Sequence, residues 1–398
     1  MRAVRGGAAS GGAARSILFL EHSRVLMGGQ VSCLNIARIM LDRGRRVTLL
    51  YPFGGSTEAM ARRIAPEARH LHGPNVALND RRKSLRDVVR MLGHLAGALP
   101  RRGLLAGHEV IYVSSVRWAI QAFALAHLMR RRFVYHVRVT PSRLEARLIL
   151  AFARSKRTHR VVVNTEFVAR EMLAMQPALK DCPKFGLLRT PVFPPFAGMA
   201  FEDRIGASDP AAPLVCAVLG RLIPSKGQDA LLEAAAKTPG VRYVVIGAPH
   251  PDFPDYLAAL RDRAPANVTL HGESRDVPAT LREIGAQLSL VPSRWDEPFG
   301  LVAVESVACS CLTVARARGG LADVAANLDL PVFDADADLA AVMNRLAALP
   351  RAELAAMAAA QHAALQQHYS LAVFADEVDA ICFGPEAAPP PRPASLFG

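Results

Sequence analysis

Two segments in the second half of the chain combine residue types that could bind a phosphorylated ligand. The first, residues 220–227 (GRLIPSKG), places Arg221 and Lys226 five residues apart in a loop bounded by glycine. At the end of a buried strand, such a loop can direct both cations to one diphosphate. The order G-x-x-x-x-G-K-[ST] is absent, which disfavours nucleoside-triphosphate hydrolysis. Taken alone, the two cations are equally well explained as solvated loop residues.

The second segment, residues 292–305 (PSRWDEPFGLVAVE), follows an apolar run that ends at Val291. The pattern predicts a strand, a loop, and a helix whose exposed N–H groups could meet a ligand. A helix dipole explains an acidic residue such as Glu297 near the helix start, but it does not explain Glu305 among apolar neighbours. A buried carboxylate needs a partner, and ligand hydroxyls would supply one.

A weaker signal is the pair Gly28 and Gly29, between a predicted strand and a predicted helix. Glycines there allow the backbone close to a ligand. The G-x-G-x-x-G pattern and an acidic residue closing the next strand are missing, so a nicotinamide cofactor is disfavoured. An ordinary tight turn is the alternative interpretation.

The elements that would position these residues alternate between strand and helix. This alternation predicts the α/β class, with two Rossmann-like, doubly wound parallel sheets. The predicted strands are residues 16–20, 46–51, 109–113, 132–136 and 160–164, a strand with its loop at 184–188, then 214–219, 242–246, 268–270 and 287–291, with helices at 228–237 and 300–308.

We expect two folded domains, because 398 residues exceed what one core usually serves. The predicted boundaries are a disordered leader 1–15, a first domain 16–195, a linker 196–213, a second domain 214–368, a helix 369–383 that crosses back to the first domain, and a proline-rich disordered tail 384–398.

The composition is typical of a globular protein, with 51% hydrophobic and 21% charged residues. No apolar run approaches the roughly 18 residues of a membrane-spanning helix, and the leader lacks the apolar stretch of a secretory signal. Six scattered cysteines favour reduced thiols, and Cys309 and Cys311 form only a lone C-x-C. We therefore predict a cytoplasmic protein without a metal.

The charge is divided unevenly along the chain. The first 200 residues hold 33 Lys and Arg against 11 Asp and Glu, a formal charge of +22, whereas the remainder carries −9. A basic half could meet an anionic membrane face, an acidic acceptor or nucleic acid. We disfavour nucleic acid because interleaved aromatic residues and a known module are missing. The basic runs are 81–86 and 130–132.

Together, the motifs resemble the family-four retaining glycosyltransferases of GT-B fold. The similarity rests on GGxxxxxxIA near the start, GRLIPSKGQDALLEA, VVIGA, VTLHG, SLVPSRWDEPFGLVAVESVA and GGLADV, in order and spacing. The two glutamates eight residues apart in EPFGLVAVE are the best-known signature of that family. The resemblance implies two domains that face each other across a cleft.

The resemblance also implies roles for individual residues. Arg221 and Lys226 would hold the donor diphosphate and neutralise the leaving group in place of a metal, Glu297 would lie near the donor sugar, and His136 would touch the transferred sugar. Without the resemblance, His136 is as easily structural. The residues implied in donor binding are Gly28, Gly29, Gly220, Phe299, Gly300, Leu301 and Glu305, the last accepting hydrogen bonds from ribose hydroxyls.

The implied partners are a nucleotide-sugar donor, which is a substrate rather than a cofactor, and a glycan or lipid-linked acceptor. The basic half would add peripheral contact with the inner face of a membrane. Two rival functions stay open: an inactive GT-B binding subunit and a GT-B sugar-nucleotide epimerase. The chain departs from the family pattern at residues 189–193 (RTPVF) and at 308–311 (ACSC), where the family commonly has Asn-Gly-Val-Asp and a glycine.

Overall fold

The computed structural model describes residues 14–26, 28–73, 107–386 and 388–397, except for the side chains of Val116 and Arg117. These residues form two compact units. The first contains the described residues up to Val162, together with Ala178–Gly186 and Glu377–Pro391, and the second contains Val163–Pro177, Leu187–Asp376 and the residues from Arg392 onward.

The first sheet has seven strands in the order β3-β2-β1-β4-β5-β6-β7. Strand β1 pairs in parallel with both β2 and β4, so the strand order reverses beside it. The strands are β1 (Ser16–Leu20), β2 (Arg46–Pro52), β3 (Arg69–Gly73), β4 (Val110–Val113), β5 (Arg132–Val137), β6 (Thr158–Val163) and β7 (Phe185–Leu187).

Between these strands lie α1 (Gly28–Asp42), α2 (Ser56–Ile64), α3 (Val116–Leu128), α4 (Arg143–Arg154) and α5 (Glu166–Met175). Helix α4 begins with a capping box in which Ser142 and Glu145 satisfy each other's backbone N–H groups. Helix α5 begins at Thr165, whose hydroxyl accepts from the Val168 N–H. These polar residues explain why the two helices begin where they do.

The second sheet has six strands in the order β10-β9-β8-β11-β12-β13. Its strands are β8 (Leu214–Leu219), β9 (Val241–Ile246), β10 (Val268–Gly272), β11 (Leu288–Val291), β12 (Leu312–Arg316) and β13 (Val332–Phe333). Its helices are α6 (Gln228–Ala235), α7 (Tyr256–Arg263), α8 (Val277–Glu283), α9 (Leu301–Ala308), α10 (Gly319–Asn327), α11 (Leu339–Ala347) and α12 (Arg351–His368), followed by α13 (Leu371–Phe383) and α14 (Ala394–Phe397).

Both sheets confirm the predicted fold class, since each is a parallel sheet with flanking helices and one reversal of strand order. The central strands are buried along their whole length and read as apolar runs. The sequence analysis missed β3, β12 and β13. Strand β3 (RHLHG) is polar and only partly buried, and β13 has two residues, so neither shows a clear apolar pattern.

The division into units departs from the predicted boundaries in two places. Helix α5, which the prediction assigned to the first domain, clusters with the second unit. There, the Phe167 N–H donates to the Asp323 carboxylate, and Arg170 forms an ion pair with Asp323 at 2.7 Å. The second difference is one of extent: the helix predicted to cross back to the first domain does so only from Glu377, and the first unit also takes in the residues up to Pro391.

The sequence analysis predicted that the closing segment is disordered, whereas in the structure part of this segment makes defined contacts. The side chain of Arg160 on β6 is fully buried, and its guanidinium donates to the carbonyls of Pro385, Glu386 and Ala388. These acceptors replace water around a buried cation and so order the segment. The run 81–86 lies outside the described residues.

Candidate active site

The predicted site residues of the second unit lie at a point where the strand order reverses. Strand β8 pairs with β9 on one side and with β11 on the other. Residues 220–227 follow β8 and residues 292–300 follow β11, so both loops leave the carboxyl ends of adjacent parallel strands. In open α/β sheets, ligands bind at this position.

The two loops are in direct contact. The Arg294 N–H donates to the Ser225 carbonyl at 2.8 Å, which joins the middle of one loop to the other. At the base of the first loop, the Gly220 N–H donates to the Ile246 carbonyl at 3.0 Å and so ties the loop to β9. The predicted cations and carboxylates are therefore brought together by backbone bonds that involve no ligand.

Lys226 and Glu297 form the central contact of the site. The Lys226 Nζ lies 2.6 Å from Glu297 Oε1, and only 16% and 8% of the two side chains are exposed. The ammonium also lies 5.9 Å from the centre of the Trp295 ring. A largely buried cation that keeps further N–H donors can bind a second anion without giving up its first partner.

Arg221 differs from Lys226 in its surroundings. Its side chain is exposed, and within the described part of the chain no carboxylate forms an ion pair with it. Its carbonyl accepts from the Gln228 side chain at 2.9 Å, which fixes the backbone while leaving the guanidinium free to move. Arg221 is thus available to an anionic ligand at little cost in folded contacts.

Glu305 lies on α9, partly accessible and surrounded by apolar neighbours. Burial raises the pKa of its carboxyl from 4.5 to about 7, and the nearby Lys226 lowers it in part. No hydrogen bond to this carboxyl is found among the described residues. A carboxyl group in such surroundings gains from a ligand that donates hydroxyl hydrogens to it.

The start of α9 leaves backbone donors unused. Gly300 precedes the helix with φ 98°, a left-handed conformation that glycine adopts at little cost. The N–H groups of Gly300 and Leu301 have no acceptor in the portion of the chain described. Phe299 is buried, and its ring packs against Tyr369 with centroids 5.7 Å apart, which holds the helix start in place. These free donors favour phosphate or sugar oxygens.

The two glycines at the start of α10 pack against the loop that follows β11. The Gly320 N–H donates to the Glu297 carbonyl at 2.6 Å. A side chain on Gly320 would bring its Cβ within 2.2 Å of the Pro298 carbonyl oxygen. The glycines of the GGLADV motif thus allow α10 to lie directly against the backbone of the acidic loop.

Sequence reasoning missed the role of Arg294. Its guanidinium forms ion pairs with Asp229 at 2.7 Å and with Asp336 at 2.6 Å. Asp336 also pairs with Arg316, and Asp229 accepts from the Tyr256 hydroxyl at 2.9 Å. This network anchors the loop after β11 to α6 and to the turn before α11. Arginine within an otherwise apolar and acidic segment was the signal that could have identified it.

Three predicted site residues lie in the first unit. The sequence analysis placed Gly28 and Gly29 between a strand and a helix. In the structure they are the first two residues of α1. A helix start does not require the special backbone conformations that glycine allows. A Cβ on Gly29 would meet no atom within 4 Å. The roles of both glycines stay predictions.

His136 is the penultimate residue of β5, so it lies at the strand end as predicted, but its side chain is fully buried. Its Nδ1 lies 2.6 Å from the Tyr112 hydroxyl, and its Nε2 is buried without a hydrogen-bond partner among the described residues. Burial, with a contribution from Arg138, holds the pKa of the imidazole well below its usual value. His136 is therefore a neutral side chain of the interior, and its predicted contact with a sugar stays a prediction.

One of the two segments that differ from the family pattern, residues 308–311, contains a backbone conformation that glycine adopts easily. Ser310 has φ 62° in the turn after α9. Its hydroxyl accepts from the Glu202 N–H at 3.0 Å, a contact that offsets part of the strain.

In the described ranges, no three His, Cys, Asp or Glu side chains are arranged to hold a metal, and no helix is both long and apolar enough to cross a membrane.

Comparison with known proteins agrees with this geometry. Residues 202–362 match the family model described as glycosyl transferases group 1. The D-inositol 3-phosphate glycosyltransferase of Mycobacterium tuberculosis (strain ATCC 25618 / H37Rv) is 38% identical over 229 residues, which cover 52% of this chain and 45% of that relative. The chain thus matches less than half the length of the relative.

Solved structures share the fold over most of the chain. Alr3699/HepE of Anabaena in complex with UDP superposes with a TM-score of 0.74 at 18% identity, covering 91% of this chain and 98% of that one. Sucrose-phosphate synthase (tll1590) of Thermosynechococcus elongatus gives a TM-score of 0.70 at 14% identity, covering 92% and 98%. The chain has the GT-B fold. Its residues 202–362 match the model of the glycosyl transferases group 1, which agrees with the motif resemblance.

Proposed function

We propose that the protein transfers a hexose-type sugar from a nucleotide-diphosphate sugar to a glycan or lipid-linked acceptor, with retention at the anomeric carbon. The observation that carries the proposal is the arrangement of Lys226, Glu297 and Glu305 beside the free N–H groups of α9, where the strand order reverses. The retaining outcome is supported by the family resemblance.

The chemistry explains why these groups are useful. Breaking a glycosyl phosphate bond leaves negative charge on the departing diphosphate and positive character on the sugar ring. Lys226, Arg221 and the start of α9 would stabilise the diphosphate, and one preorganised donor of this kind is typically worth about 3 to 4 kcal/mol in the transition state. In this proposal, the cations replace a metal.

The relatives support a nucleotide-sugar donor. The Anabaena protein has been solved with UDP, with UDP and glucose, and with UDP-glucose. The mycobacterial relatives are D-inositol 3-phosphate glycosyltransferases, and WaaG, which shares the fold at 15% identity, acts in lipopolysaccharide biosynthesis. These names favour a uridine diphosphate sugar and a role in cell-envelope polysaccharide or glycolipid synthesis.

The six free cysteines, all within the described residues, support a reducing, cytoplasmic location.

Donor binding can be measured directly by thermal unfolding. We expect UDP-glucose or another nucleotide sugar to raise the melting temperature of the full chain, because a ligand that binds only the folded state stabilises it. At 100 times Kd the gain is about 2.7 kcal/mol. Arg221→Gln should reduce this stabilisation strongly while leaving the unliganded melting temperature unchanged, since Arg221 has no folded partner among the described residues.

The matched control is Arg242→Gln, which removes an exposed arginine near the start of β9 at the opposite edge of the same sheet. It should bind the donor as the wild type does. No stabilisation by UDP, ADP, GDP or their sugars would contradict the proposal, as would equal loss in the two variants. Product analysis with a bound donor then separates transfer from epimerisation, because only transfer releases the nucleoside diphosphate.

Peripheral membrane contact is the second part of the proposal. Helix α4 presents Arg143, Arg147 and Arg154 to solvent beside Leu144, which is 65% exposed. Cations next to an exposed apolar side chain favour an anionic lipid surface. We expect the chain to sediment with vesicles that contain phosphatidylglycerol and not with neutral vesicles. Equal and negligible binding to both would contradict this part alone.

A further inference from the structure

The first unit contains a cavity of about 460 Å³ at the amino-terminal edge of its sheet. The first residues of three neighbouring strands line it, namely Ser16, Arg46 and Arg69. Ligands of open α/β sheets bind at the opposite, carboxyl edge. With a rise of about 3.3 Å per residue, the five residues of β1 separate the two edges by roughly 15 Å. The cavity is thus distinct from the carboxyl edge of its own sheet.

The strand register places the polar side chains of the cavity on one face. Ser16 pairs with Arg46, and Thr48 pairs with Arg69. Paired residues of parallel strands point the same way, and so do residues two apart on one strand. Arg46, Thr48 and Arg69 therefore share a face with Ser16, and Thr48 is fixed there by a 2.7 Å hydrogen bond to His108.

The charges of the cavity do not cancel. Among its lining residues, Arg45 is paired with Asp379 at 2.8 Å and Glu67 is paired with Arg38 at 2.7 Å. The Arg46 guanidinium donates to the Ala14 carbonyl at 3.0 Å and has no other partner within the described part of the chain.

Arg69 is exposed, and nothing in the described ranges contacts its guanidinium. Two guanidinium groups, those of Arg46 and Arg69, therefore line the same cavity, and neither forms an ion pair with a carboxylate among the described residues. Guanidinium groups bind phosphate with paired hydrogen bonds, which a halide or a single carbonyl does not match.

We propose that this cavity is a second ligand site, which binds the phosphate group of a small phosphate monoester through Arg46 and Arg69. Its volume lies within the roughly 300 to 1,000 Å³ of small-molecule sites, so a phosphorylated sugar or polyol fits it. The site does not depend on the proposed transferase function, because all of its residues belong to the first unit.

The test titrates inorganic phosphate and glycerol 3-phosphate into the full chain by calorimetry at constant ionic strength. Arg69→Gln should weaken binding by at least about tenfold, because it removes a charge-assisted pair of hydrogen bonds. Since Arg69 has no partner among the described residues, the variant should fold as the wild type does. The control is Arg63→Gln, an equal charge change on α2 at a residue outside the cavity lining.

A third variant, Arg221→Gln, separates this site from the loop after β8. Loss of phosphate binding in Arg221→Gln but not in Arg69→Gln would overturn the proposal, as would equal loss in Arg69→Gln and Arg63→Gln. No binding of either soluble probe to the wild type would also overturn it, whether or not the chain binds phosphatidylglycerol vesicles.

Discussion

At the scale of single residues, the second unit concentrates its unusual chemistry in a few side chains. Glu305 has a raised pKa because it is buried, Lys226 is held by Glu297, and Arg221 is left without a partner among the described residues. A carboxyl that resists ionisation beside a buried ion pair costs folding free energy. Such a cost is typical of a site shaped for a ligand rather than for stability.

The pKa of Glu305 predicts how stability changes with pH. Its folded pKa of about 7 lies above its ordinary value of 4.5, so the folded chain keeps a proton that the unfolded chain releases. This contribution is complete below about pH 4.5 and is lost as the pH rises through 7. Relative to Glu305→Gln, the wild type should lose about 2 to 3 kcal/mol of unfolding free energy between pH 4.5 and 8.

Denaturant unfolding of both proteins across this range measures the difference. Glu283→Gln, an exposed glutamate on α8, is the control and should leave the profile of the wild type unchanged. Parallel profiles for the wild type and Glu305→Gln would show that the carboxyl ionises normally.

Sequence reasoning reached only part of this residue-scale description. Glu305 could be singled out, because an acidic residue among apolar neighbours needs a partner, whereas the role of Glu297 was implied by the family resemblance alone; both roles stay predictions. The pairing of Lys226 with Glu297 could not, since it joins residues 71 positions apart through tertiary contact. The burial of His136 was also hidden, because a histidine at the predicted end of a strand looks the same whether the strand stops there or continues to Val137.

At the scale of elements, the loop after β11 is held on several sides. Arg294 ties it to α6, Phe299 packs on Tyr369, and Gly320 lies against its backbone. The strands and helices around it could be predicted because their apolar periodicity is strong. The support from α10 could not, since only the close approach of two backbones shows why glycine is needed there.

Gly320→Ala tests this support. Its Cβ would lie 2.2 Å from the Pro298 oxygen, so the loop must move. We expect the free energy of unfolding to fall by about 1 to 3 kcal/mol. We expect the donor affinity to fall by a larger proportion than the unfolding free energy does. Gly240→Ala is the matched control, because its Cβ would lie 3.7 Å from Ala347, an ordinary contact. Unchanged unfolding and donor titrations in Gly320→Ala would show that the loop needs no such support.

At the scale of the whole molecule, two sheets of the same plan are built from a chain that does not divide cleanly in sequence. The first unit takes in Glu377–Pro391, and the second takes in Val163–Pro177. The fold class could be predicted from the repeated strand and helix pattern. The return of the helix before Phe383 to the first unit was also predicted, but the assignment of Val163–Pro177 was not, because it depends on a partner, Asp323, that is distant in sequence.

Ending the chain after Phe383 should destabilise the first unit. Arg160 would lose the carbonyls of Pro385, Glu386 and Ala388 while staying buried, which typically costs about 3 to 5 kcal/mol. Arg160→Met in the shortened chain should recover much of that loss, because it removes the stranded charge. Chemical unfolding of the four combinations gives the coupling energy, and a value near zero would contradict the proposed anchoring.

The position of Arg160 has a consequence for synthesis of the protein. Its acceptor carbonyls are translated roughly 200 residues after β7, the last strand of its sheet. At about 5 to 20 residues per second, the nascent sheet waits about 10 to 40 s before they leave the ribosome. During that interval the guanidinium must stay hydrated or bind elsewhere. The first unit is therefore completed only after all strands of its sheet have been translated. Nascent chains stalled before Pro385 should be the most sensitive to proteases.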